Sequence, residues 1–148
     1  MEDKPIVVIT GISGFLGSWV GKTFLERGGY KVRGTVRDPN NERKVAPLKD
    51  AFGEQFDEVE LVKADLLDHD SLDKAIEGAT YVMHVASPFP AENPKDKFEL
   101  IGPAVNGTLS VLEAAHKHGV KKVVITASCA TIHCPVNKKE VYDETCFA

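Results

Sequence analysis

The stretch Thr10-Gly11-Ile12-Ser13-Gly14-Phe15-Leu16-Gly17 constrains this chain more than any other. It leaves a continuous apolar run of strand length, Ile6-Val7-Val8-Ile9. It opens into Gly14 to Arg27, where Leu16, Val20 and Phe24 recur at helical spacing with Trp19 beside them, which predicts a helix with one buried stripe. Glycine triplets arise by chance, but this one joins a buried strand to an amphipathic helix, and that context gives it meaning. Gly11 permits the tight turn. Gly14 has no Cβ, so the backbone can come close to a pyrophosphate, and Gly17 lets the helix pack against the strand. The free amides at the helix start, and its dipole, then face negative charge. The residues expected to meet such a group are Gly11, Ser13, Gly14, Phe15, Leu16 and Gly17. The competing reading is a glycine-rich turn selected for packing alone.

The rest of the chain alternates strand-like and helix-like segments. Gly28-Gly29 ends the first helix, as glycine commonly does. Lys31 to Arg37 reads as a second strand, and Asn40 to Phe52 as a helix interrupted by Pro47. Val59 to Ala64 is a third strand. Asp70 to Glu77 is a short helix, with Asp70 or Ser71 as its cap. Tyr81 to Ala86 is a fourth strand, followed by a polar loop holding Pro88, Pro90 and Pro94. Phe98 to His118 is a long helix with Ile101, Val105, Leu109 and Leu112 along one face, and Lys121 to Ala127 is a fifth strand. Ala130 to Ala148 defines no element. This alternation predicts an α/β fold, a parallel sheet covered on both faces. Right-handed crossovers make it doubly wound, with strand order 3-2-1-4-5, the Rossmann arrangement.

Composition removes several other classes. The 148 residues suit one domain spanning the chain and bury a proper core. The net charge of −4, with no basic tract, gives no footing for nucleic acid or an anionic membrane. No apolar run reaches the roughly 20 residues of a membrane span, and the polar start is unlike a signal peptide. Cys129, Cys134 and Cys146, an odd number, read as reduced cytoplasmic thiols. His133-Cys134, with Cys129 and Cys146 near, matches none of the usual zinc spacings, so no metal is expected.

Further segments carry a family resemblance. They are Val8-Ile9-Thr10-Gly11, Gly17-Ser18-Trp19-Val20, Thr35-Val36-Arg37-Asp38-Pro39, Ala64-Asp65-Leu66, His84-Val85-Ala86-Ser87-Pro88, Pro103-Ala104-Val105-Asn106-Gly107-Thr108 and Ile125-Thr126-Ala127-Ser128. With these in this order, the chain resembles the extended short-chain dehydrogenase/reductase family, in the branch of dihydroflavonol reductase and cinnamoyl-CoA reductase. The resemblance implies reduction of a small-molecule carbonyl by NADP(H).

Arg37 ends the second strand, where an acid would bind the ribose 2′-hydroxyl of NAD and an arginine accommodates a 2′-phosphate. A guanidinium grips phosphate in a bidentate way. Lys44 resembles a second basic residue that the family uses for that phosphate. Asp38 leaves two alternatives open: reaching a hydroxyl itself, or pairing with Arg37 on the surface. By resemblance, Asp65 and Leu66 lie against the adenine, and Val85, Ala86 and Ser87 form the loop beside the nicotinamide ribose. Both places are carboxyl ends of strands, where doubly wound sheets bind ligands. His84, flanked by Met83 and Val85, reads as a satisfied core histidine. Asn106 either lines the site through water or is a polar residue on a helix face. His116 and His118 complement a helix end.

Carbonyl reduction needs an acid for the developing alkoxide and a donor to hold the substrate oxygen. The family meets this with a serine, matched by Ser128, and a later Tyr-x-x-x-Lys. That motif is absent here: Tyr30, Tyr81 and Tyr142 are followed four residues on by Gly34, Val85 and Cys146. The chain therefore reads as the front portion of a longer enzyme, without its later strands and substrate domain. A non-catalytic NADP-binding module, and isomerase or dehydratase chemistry on nucleotide sugars or sterols, are the competing functions. The fifth strand, Val123-Val124-Ile125, would then be a bare apolar edge that invites association. The chain is predicted to self-associate or to be marginally stable. A clean monomer by light scattering, with a high melting temperature, would count against this.

Overall fold

The computed structural model of the chain describes residues 4–88, 94–132, 141–143 and 145–146. Nine principal elements follow one another: β1 (Ile6–Thr10), α1 (Phe15–Arg27), β2 (Lys31–Val36), α2 (Glu42–Phe52), β3 (Val59–Lys63), α3 (His69–Ile76), β4 (Tyr81–His84), α4 (Phe98–Lys117) and β5 (Lys122–Ile125). The five strands pair in parallel in the order β3-β2-β1-β4-β5, as the alternation predicts. β1 lies at the centre, and its side chains alternate between two cores. Val7 and Ile9 join Leu25, Val32, Leu48 and Phe52 on the α1 and α2 side. Val8 joins Leu72, Ile76, Val82 and Val111 on the α3 and α4 side. Val7, Val8 and Ile9 are all fully buried. Each such side chain contributes about 1.5–3 kcal/mol of burial, which makes β1 the strand that both layers close upon.

The turn after β1 is anchored in the same way. Ile12 is completely buried and packs where β2 has no side chain: a Cβ on Gly34 would come within 2.5 Å of Ile12 Cγ2. Gly17 lies against the turn itself, where a Cβ would collide with the carbonyl oxygen of Gly11. This contact corrects the expected buried stripe of α1. The helix buries Gly17, Gly21 and Leu25, whereas Leu16 and Trp19 are exposed. Two glycines four residues apart bring the backbone flush to the layer beneath. Val20 and Phe24 are left to flank the contact, partly buried. On α4, too, the small side chains meet the sheet. Its buried residues are Gly107, Val111, Ala114 and Ala115, while Ile101, Val105, Leu109 and Leu112 face outward.

Two local expectations are also corrected. α3 is capped by Asp68, not by Asp70 or Ser71: Asp68 Oδ1 accepts from the Ser71 amide at 3.1 Å. The Ser71 hydroxyl is engaged elsewhere, donating to the Asp68 carbonyl at 2.7 Å and accepting from the Asp65 amide at 3.0 Å. α2 runs through Pro47 without interruption. The proline forgoes one helical hydrogen bond, and burial of Val45, Leu48 and Phe52 on both sides of it keeps the helix in place.

Charged side chains stitch the outer layer. Arg33 donates to the carbonyls of Ala75 and Glu77 at 3.0 and 2.7 Å, meeting acceptors left open at the end of α3, and pairs with Glu60 at 2.7 Å. Asp73 on α3 receives Lys117 Nζ at 2.7 Å and lies 3.0 Å from His118 Nε2, which ties α3 to the end of α4. At the sheet edge, Val124 and Ile125 of β5 are exposed. Among the described residues, no helix is long and apolar enough to cross a membrane.

Ile12→Ala is expected to cost about 3 kcal/mol, read from the denaturant midpoint, because it empties a buried site walled by a glycine. The hydrogen bond from Lys117, against some desolvation and with support from His118, holds the Asp73 carboxyl below its ordinary 3.8. Because the unfolded chain takes up that proton first, this contribution is present above pH 3.8 and is lost as the pH falls below it. Asp73→Asn should therefore lie below wild type in stability at neutral pH and converge with it in acid. A pH-independent gap between the two denaturation series would refute the clamp.

Candidate functional site

Parallel strands deliver all their carboxyl ends to one edge of the sheet, and the loops leaving β1, β2, β3 and β4 meet there. They enclose a cleft of about 1130 Å³. At its centre the chain leaves β1 through Gly11, whose φ of +68° is open to glycine at little cost. The Gly11 amide donates to Thr35 Oγ1 at 3.1 Å, and the Ile12 amide to the Thr35 carbonyl at 3.3 Å, so β2 holds the start of the turn. The Gly14 amide closes the turn onto the Gly11 carbonyl at 3.0 Å.

α1 then begins with amides that have no carbonyl one turn earlier to meet. No side chain caps it, and its first turn holds no acidic residue. Every other α-helix among the described residues has an acid there: Glu42 in α2, Asp70 in α3 and Glu99 in α4. The positive end of α1 is therefore left uncompensated where it faces the cleft, the arrangement that binds anions.

Every coenzyme contact expected from the sequence lines this one cleft: Gly11, Ser13, Gly14, Phe15, Leu16, Gly17, Arg37, Lys44, Asp65, Leu66, Val85, Ala86 and Ser87. Arg37 and Lys44 approach from the end of β2 and from α2. Asp38 lines the cleft beside them, with Oδ1 accepting from the Asn40 amide at 2.9 Å. Asp65 likewise folds its own loop, Oδ1 accepting from the Leu67 amide at 2.9 Å. Behind the wall, Thr10 Oγ1 accepts from the amides of Val85 and Ala86, each at 3.0 Å, and lies 2.8 Å from His84 Nδ1. His84 is buried in the core as expected, and that burial pushes its pKa below the ordinary histidine value.

The sequence reading missed Thr35, Asn41, Glu99, Leu100 and Pro103, which also line the cleft. Thr35 read as a strand residue and as the start of a family-like segment, since its hydroxyl gains a role only when β2 lies against β1. Of the α4 residues, Pro103 opens a family-like segment from which no site role was expected, and Glu99 and Leu100 carry no motif. Ser128 lies beyond the end of β5, exposed and outside the cleft lining, with Oγ accepting from the Ala130 amide at 3.2 Å. Asn106 is an exposed residue of α4, away from the cleft. His118 does more than complement a helix end, through its contact with Asp73. No group of three or more metal-ligating side chains occurs among the described residues. His133 and Cys134 lie outside them.

Known proteins carry the same pattern. A profile of the NAD dependent epimerase/dehydratase family matches residues 7–146. Dihydroflavonol 4-reductase of Dianthus caryophyllus is 43% identical over 142 residues, covering 96% of this chain and 39% of that protein. Among solved structures, vestitone reductase from alfalfa superposes with a TM-score of 0.77 at 33% identity, over 98% of this chain and 43% of that one. Gre2 from Candida albicans, in complex with NADPH, gives 0.82 at 30% identity, over 97% and 44%. This chain thus spans about two fifths of the relatives it matches. From the strand order, the glycine turn and these likenesses together, the chain belongs to the NAD dependent epimerase/dehydratase family, in its branch of dihydroflavonol-reductase-like extended short-chain dehydrogenases/reductases.

Proposed function

We propose that this chain is the NADP(H)-binding portion of a carbonyl reductase resembling dihydroflavonol reductase. The observation that carries the reading is a pair of cations in the cleft, at the end of β2 and on α2. Arg37 and Lys44 both line it, and among the described residues neither forms a salt bridge. Arg33 and Lys117, by contrast, each have a carboxylate at 2.7 Å. Cations left without a carboxylate in the same cleft as an uncompensated helix start suit a ligand with two anionic groups. A pyrophosphate over Gly11 to Gly17 and a 2′-phosphate at Arg37 and Lys44 meet that demand. The hydrogen bond from the Asn40 amide engages Asp38 in its own turn, which favours the phosphate over a bare hydroxyl there. NADPH-bound Gre2, with its matching fold, is in keeping with the same coenzyme.

The bound coenzyme supplies hydride. The chain's own residues bind and orient it: the β1 turn holds the diphosphate, the β3 loop with Asp65 and Leu66 takes the adenine, and Val85 to Ser87 border the reacting end. Ser128 is assigned to the substrate oxygen. Its Oγ accepts from Ala130, which leaves its proton to donate. A small-molecule carbonyl is the substrate class. The exposed Cys129 thiol suits a reducing compartment, the cytoplasm. Self-association through the β5 edge belongs to the same proposal.

A second reading is an NADP-binding module without turnover, in keeping with Ser128 standing exposed outside the cleft lining. NADPH oxidation in the presence of carbonyl substrates separates the two.

For the coenzyme, titrations with NADPH and NADH form the test. Arg37→Asp should weaken NADPH by about a hundredfold, since it removes charge-assisted contacts to phosphate and adds a like charge, and should change NADH by less than about threefold. Equal losses for both would refute the phosphate assignment.

A further inference from the structure

Thr10, His84 and Thr108 form a chain of hydrogen-bonding groups behind the cleft, and the coenzyme reading makes no use of it. Thr10 and His84 are both almost entirely buried. A threonine hydroxyl has one proton and two lone pairs. The amides of Val85 and Ala86 only donate, so at 3.0 Å each they occupy both lone pairs of Thr10 Oγ1. The one remaining proton points to His84 Nδ1, 2.8 Å away, which must therefore present a lone pair. That fixes neutral His84 with its proton on Nε2, the nitrogen that faces Thr108 Oγ1 at 3.4 Å. The groups that face the residue from β1, α4 and the end of β5 are Thr10, Thr108 and Thr126, none of them charged. A second ring proton would meet a hydroxyl whose acceptor sites are already filled.

The far end of this chain is a contact between two walls of the cleft. The Val85–Ala86 turn is so close to the glycine turn that a Cβ on Gly11 would lie 3.0 Å from Ala86 Cβ and 3.1 Å from Ala86 Cα. We propose that His84 and Thr10 are positioning residues for the coenzyme. By accepting the hydrogen bond that the Thr10 hydroxyl donates, neutral His84 aims the hydroxyl lone pairs at the Val85 and Ala86 amides and seats that turn on Gly11. The turns after β1 and β4 then form one rigid surface beneath the ligand. This rests on the reading of the cleft as a dinucleotide site.

The test uses the 148-residue chain, NADPH as the probe, and two pairs of substitutions. Thr10→Val keeps the shape and removes the hydroxyl, and Thr10→Ser keeps the hydroxyl. His84→Asn places an acceptor where Nδ1 was, and His84→Gln preserves only the end that faces Thr108. The expected result is about a tenfold weaker NADPH affinity for Thr10→Val and His84→Gln, with Thr10→Ser and His84→Asn within about threefold of wild type. A merely structural role would make affinity follow melting temperature across the four, irrespective of which end is preserved, and that outcome would overturn the proposal. Nitrogen-15 spectra of the histidine ring give a readout independent of variant folding: Nδ1 should be unprotonated and Nε2 protonated, and a protonated Nδ1 overturns the proposal. If wild type takes up no NADPH, the coenzyme reading itself fails and this inference falls with it. If wild type binds and Thr10→Val binds equally well, only this inference fails.

Discussion

A missing methyl group at Gly17 decides how the first helix can begin. α1 starts directly on the Gly11 carbonyl, a contact that any Cβ at position 17 would block. Because the helix is seated there, its open amides are held against the end of β1 and face outward together. Ile12 completes the seat from the other side, buried in the space that Gly34 leaves in β2. The turn is thus rigid by packing and polar by necessity. Its amides are turned toward the cleft because the surrounding core leaves them nowhere else to go.

Parallel pairing supplies the second condition. With β1 at the centre and β2 and β4 on either side, the loops after these strands all open on the same edge. Charge is then placed with economy. Cations that serve the fold, Arg33 and Lys117, have carboxylates beside them. Arg37 and Lys44, at the cleft, have none among the described residues. The α1 first turn holds no acid although every neighbouring α-helix has one. Two cations without an ion-pair partner among the described residues and one uncompensated helix start thus share a cleft that Asp38, Asp65 and Glu99 also line.

Much of this was legible beforehand, for identifiable reasons. Ile6 to Ile9 is apolar without alternation because the central strand is covered on both faces, and the glycine turn follows it directly. The expected coenzyme residues from Gly11 to Ser87 converge because a doubly wound sheet brings strand ends together once its order is known. The helix faces were harder to read. On α1 and α4 many large apolar residues, Leu16, Trp19, Ile101 and Leu109 among them, face outward, and Gly17, Gly21, Gly107 and Ala114 share the inner side with Leu25 and Val111. Hydrophobic periodicity weighs side chains by size, whereas close approach to a sheet selects those that are small. The α3 cap was misplaced for a related reason. Ser71 has good capping chemistry, but its hydroxyl is drawn into the loop after β3, and Asp68 takes the role.

By itself the sequence determined the alternation of strands and helices, the strand order, the glycine turn after the first strand and the basic residues at the end of β2. These follow from local patterns: burial on both faces, glycine where a turn must be tight, and charge just past a strand. Only the tertiary structure decided what Thr10, Thr35 and His84 do. Their hydroxyl and ring groups find partners on strands distant in the chain, and no local pattern records which lone pair meets which amide. A hydrogen bond between side chains of different strands is set by register and packing, and these exist only once the sheet has closed.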